Sequence, residues 1–182
     1  MISTPFDGTT NPIFVALFNY LGILPAINTC LLLPGSKDQK PLPAIPFIVS
    51  SFALGFFGIG PYLGSRTLKT YGVTEGNGFG IKLFESKKIS IGMLAFALYL
   101  TSFCFKGIVD SDMSAVNDFI TLFNQQRLVH VSTIDFTILS LSVWDPLRED
   151  MSRRYTPGTN PLPAWVYCIV PVLVTYSALI TI

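Results

Sequence analysis

From Pro12 onward the chain reads as long apolar runs broken by short polar, glycine-rich or proline-rich stretches. Five runs stand out: Pro12 to Leu33, Ala44 to Leu63, Ile89 to Phe105, Leu128 to Trp144 and Ala164 to Ile182. Each approaches the ~20 residues that carry a helix across about 30 Å of hydrocarbon. They are too long, and alternate too little with a period of two, to be strands. A further segment, 112–126 (DMSAVNDFITLFNQQ), sets Met113, Val116, Phe119, Ile120 and Phe123 on one helical face with polar residues opposite. That pattern predicts a helix lying flat at a membrane surface. Beyond Trp144, Asp145 and Pro146 predict the N-cap and first turn of a short helix that Arg153 and Arg154 close. The expectation is an all-α fold in a single integral membrane domain over 1–182. It is a polytopic transmembrane helix bundle of about five spans plus one interfacial amphipathic helix.

Composition agrees with that pattern. Half of the 182 residues are hydrophobic, 13% are charged and the mean hydropathy is +0.54. Ordinary soluble domains carry about 25% charge, so lipid is the expected solvent. A net charge of +1 and the lack of a Lys/Arg-rich run exclude an electrostatic case for nucleic acid. Cys30, Cys104 and Cys168 sit in apolar runs at spacings that match no metal motif, so they read as small buried hydrophobes. The start, MISTPFDGTTNP, shows neither a basic signal-peptide region nor an Arg-rich transit pattern.

With five spans, the N-terminus and the loops 64–88 and 145–163 fall on one side. That side holds Arg66, Lys69, Lys82, Lys87, Lys88, Arg148, Arg153 and Arg154, against Lys37, Lys40, Lys106 and Arg127 on the other. Positive charge stays on the cytoplasmic or stromal face, so the N-terminus is expected there.

Candidate chemistry concentrates in RLVHVSTIDFTILSLSVW (127–144), which holds the chain's one histidine, His130, and Asp135. Five residues apart on a helix, the two side chains face about 140° from each other and do not pair. A charge at bilayer depth costs roughly 2.5–3.5 kcal/mol, so Asp135 must look into the bundle, and Asn19 and Asn28 are its candidate partners. Three readings stay open: polar glue between helices, axial ligation of a pigment's metal by His130 beside Leu128, Val129 and Phe136, and proton transfer through Asp135. Gly22 and Pro25 should kink the first span. Gly60 and Gly64 fit close helix packing, whereas the Gly55 and Gly58 spacing does not. No protein metal site and no catalytic array is visible.

Four stretches, FNYLGILPAI (18–27), IPFIVSSFALGFFGIGPYLGSR (45–66), RLVHVSTIDFTILSL (127–141) and EDMSRR (149–154), together resemble a group of multi-spanning proteins of cyanobacteria and plastids. The resemblance implies a photosynthetic membrane, the thylakoid, and places His130 and Asp135 at the group's IH and DF positions. It raises contact with chlorophyll as an expectation. The function expected is a non-catalytic accessory or assembly subunit that packs against a photosystem or antenna complex among membrane lipids. The alternative is a small proton-coupled transporter or channel that uses Asp135.

Overall fold

The computed structural model describes residues 11–33, 35–36, 40–67 and 86–154. Among these the fold is all-helical, with no strand. Seven helices follow in order: α1 (Pro12–Leu32), α2 (Ala44–Leu54), α3 (Phe56–Ser65), α4 (Lys87–Asp110), α5 (Ser114–Gln125), α6 (Arg127–Ser142) and α7 (Trp144–Arg154). Two of them, α1 and α4, are long and apolar enough to cross a membrane. The expected fifth run, 164–182, lies outside the described residues.

Helix α1 is the axis around which the others pack. Asn11 starts it: its Oδ1 accepts from the backbone N–H of Ile13 at 2.9 Å, and Pro12 takes the first helical position, where no N–H is missed. The helix runs through Pro25, and Thr29 Oγ1 donates to the Pro25 carbonyl one turn below it. Helix α4 lies antiparallel to α1. Gly107 meets Pro12 at one end, and the Tyr20 hydroxyl lies 2.8 Å from the Ala97 carbonyl further along. Helix α6 runs parallel to α1, with its Phe136 ring 6.0 Å from that of Tyr20. The core is continuous through all of these, from Leu24, Ile27 and Leu31 of α1 to Ile59 and Tyr62 of α3, Ala97 and Leu100 of α4, and Leu139 of α6.

The run expected to be a single span over 44–63 is instead a hairpin of two short helices. Phe47 stacks on Tyr62 with ring centroids 6.2 Å apart. In one straight helix those residues would stand about 22 Å apart along the axis. The chain reverses at Gly55, whose φ of +58° and ψ of −133° suit only a residue without Cβ. The two arms then press together at Gly58, where an added Cβ would lie 2.7 Å from the Ser50 and Ser51 backbone. Gly55 and Gly58 are therefore the glycines that packing requires. The space around Gly64 is open, and Gly60 faces only the ring of Phe56.

This hairpin changes which parts of the chain share an end. Asn11 lies with α5, because its Nδ2 donates to the Ala115 carbonyl at 2.7 Å. Both feet of the hairpin, the start of α4 and all of α7 gather at the opposite end. Arg66, leaving α3, there forms an ion pair with Glu149 of α7, and both side chains are buried. The expected grouping of the N-terminus with the loops after residues 64 and 145 is thus corrected, because a reversed hairpin takes the place of a crossing. A helix, α5, occupies the segment expected to lie at the surface, and the short helix after Trp144 is α7.

Candidate functional site

Asp135 is the ninth of the 16 residues of α6 and stands midway along it. The tip of the hairpin is placed against it. Asp135 Oδ1 accepts from the backbone N–H of Phe56 at 2.8 Å, the first residue of α3. That N–H has no partner within its own helix, and the partial positive charge of a helix N-terminus favours a carboxylate there. Gly55 makes the approach possible, since a Cβ at that position would sit 1.8 Å from Asp135 Oδ2. The acid therefore acts as an N-cap supplied by a distant helix.

The amides proposed as partners do not meet it. Asn19 Nδ2 donates to the Val15 carbonyl one turn back at 2.8 Å, on the side of α1 that faces α4. Asn28 is fully buried, and among the described residues neither its Oδ1 nor its Nδ2 has a hydrogen-bond partner. Sequence reasoning missed Phe56, because the group that answers Asp135 is a backbone amide, which no residue letter reveals. The available signal was the glycine pair Gly55 and Gly58 inside an apolar run, which marks a reversal rather than close packing of straight helices.

Beside the tip lies a groove of about 400 Å³ between α1, the hairpin and α6. Its rim is apolar, with Phe18, Phe52 and Phe57 exposed, and Ser132 and Asp135 bring polar atoms to its α6 wall. A wider hollow of about 630 Å³ opens at the Asn11 end, where Asp110 and Asp118 share the lining with Phe103 and Leu122.

His130 is exposed on the first turn of α6, away from Asp135. Its imidazole packs on the ring of Phe123 at 4.4 Å between centroids. Of the neighbours expected to flank it, Val129 is buried in the bundle and Phe136 turns to Tyr20. Phe123 of α5 takes that place, and Leu128 remains exposed. No group of three or more His, Cys, Asp or Glu side chains that could hold a metal occurs among the described residues. Cys30 is buried and Cys104 half-buried, with neither in a disulfide. Compared with family models, curated proteins and solved structures, the chain matches none.

Proposed function

We propose that this chain is an integral, non-catalytic subunit of a photosynthetic membrane, an accessory or assembly component beside a larger pigment–protein complex. In this reading α1, α4 and α6 cross the bilayer, and α2 and α3 form a re-entrant hairpin that reaches mid-depth and returns. Non-helical backbone at such depth is tolerated where protein meets its polar groups, and the turn at Gly55 lies against Asp135 of α6, which accepts from the Phe56 N–H. The observation that carries the reading is the engagement of Asp135. The acid at mid-helix depth holds the hairpin tip, and the groove beside it is rimmed by phenylalanines. That arrangement suits a fixed scaffold better than a proton path.

Orientation follows from charge. Of the nine Lys and Arg among the described residues, Lys40, Arg66, Lys87, Lys88, Arg148, Arg153 and Arg154 belong to the hairpin-foot end, and Lys106 and Arg127 to the other. The basic end then faces stroma or cytoplasm, and the start of α1 faces the lumen. The thylakoid setting rests on the resemblance of the four stretches quoted above. His130, exposed with Ile134 on the same flank of α6, offers one neutral imidazole to a chlorophyll magnesium and apolar surface for its ring.

Solubilisation in mild detergent should bring the chain down with a photosystem or antenna complex, and the eluate should absorb as chlorophyll. His130→Leu should lower the pigment recovered per chain while leaving the bundle folded. A chain that migrates alone, or an unchanged pigment yield from His130→Leu, refutes the corresponding part of the proposal.

A further inference from the structure

We infer that the groove beside the hairpin tip binds a neutral, membrane-dissolved hydrocarbon that carries a hydroxyl group. The inference rests on the membrane placement of the preceding reading, but not on its accessory role.

Two unused polar groups point to a ligand. Asp135 spends one carboxylate oxygen on Phe56, and among the described residues Oδ2 makes no hydrogen bond. A carboxylate offers about four acceptor sites, so most of its capacity is unspent. Ser132 stands one helical turn earlier on the same wall, with 6% of its surface exposed, and its hydroxyl has no partner among the described residues either. A polar group left unsatisfied in an apolar setting costs roughly 1–3 kcal/mol, so a molecule that serves both is favoured. A hydroxyl does so by donating to Asp135 Oδ2 and accepting from the Ser132 O–H.

The surroundings select the rest of the molecule. Phe18, Phe52, Phe57 and Val131 present apolar surface around these polar atoms. A volume of about 400 Å³ lies within the ~300–1,000 Å³ usual for small-molecule pockets. Gly22 keeps the α1 wall low, since a Cβ there would meet nothing within 4 Å. Asp135 stands about 10–12 Å from either end of α6, below the reach of a phospholipid headgroup. An ammonium has no acceptor for the Ser132 O–H, which leaves a hydroxyl as the group that serves both. Long-chain alcohols and quinols share this chemistry.

The test uses the full chain in lipid nanodiscs with a diazirine-bearing hexadecanol and, separately, its methyl ether, which cannot donate. The alcohol should label the hairpin tip and the middle of α6 about tenfold more than the ether, the ratio that one hydrogen bond of ~1.4 kcal/mol supplies. Competition with hexadecanol and with decylhydroquinone separates the two sources. Asp135→Asn keeps an oxygen for the Phe56 N–H but replaces the free acceptor by an NH₂, and should abolish the preference. Gly22→Leu should fill the groove from a position with room for it and suppress labelling by both probes. Equal labelling by alcohol and ether, a preference that survives Asp135→Asn, or labelling that survives Gly22→Leu overturns the inference. A chain released from membranes by alkaline carbonate would instead sink the membrane reading itself, so the two failures are told apart.

Discussion

Helices α1 and α4 pass the same test of length and apolarity, yet 72% of the most apolar stretch of α1 is buried and only 11% of that of α4. Hydropathy reports that a helix avoids water, and does not say whether protein or lipid replaces it. The difference lies in what each helix offers its neighbours. Helix α1 carries side chains that lock to others on several sides, with Tyr20 reaching α4 and Leu24, Ile27 and Leu31 sunk in the core. Helix α4 has one inward stripe, in which Ala97, Leu100 and Gly107 lie against α1 at intervals that return to one face. Its other faces display an aromatic ladder, Phe96 on Tyr99 on Phe103, with centroids 6.5 and 6.4 Å apart.

The contrast is open to direct attack. Leu24→Ala, at a fully buried site on α1, should cost about 2–5 kcal/mol in a reversible denaturation of the purified protein, because the cavity cannot collapse. If the cost is negligible, α1 is not the axis of the bundle. Gly107→Leu attacks the closest approach of the two helices. Its Cβ alone would stand 2.6 Å from the Pro12 ring, so overpacking should cost about 1–3 kcal/mol and weaken cysteine cross-linking between the two helices. Tyr20→Phe removes the hydroxyl shared by the Ala97 carbonyl and Thr101 Oγ1, and should cost about 1 kcal/mol in the same denaturation. Phe105→Ala, at a site 69% exposed on α4, should change stability by no more than about 0.5 kcal/mol. A large loss there would mean that this face already packs on protein.

Much of the architecture was legible in the pattern of apolar runs. The run over 12–33 became α1, the run over 89–105 became the heart of α4, and 112–126 became α5. The hairpin was not legible, because a greasy run bounded by polar residues looks the same whether it crosses or turns back. Only Gly55 and Gly58 distinguish the two, and glycine in an apolar run also serves plain helix packing. Asp135 was recognised as an acid that needs an answer, but its partner is the backbone of Phe56 rather than Asn19 or Asn28. His130 was found by type alone, and its packing partner Phe123 comes from the neighbouring α5, one short turn back along the chain.

The bond from Asn11 to the Ala115 carbonyl joins residues 104 positions apart. A ribosome adding about 5–20 residues per second needs roughly 5–20 s to supply the second partner after the first. Helix α1 is therefore made well before the last of the helices that shelter it. During biogenesis α1 must wait in lipid, or against the insertion machinery, with the buried amide of Asn28 still uncovered.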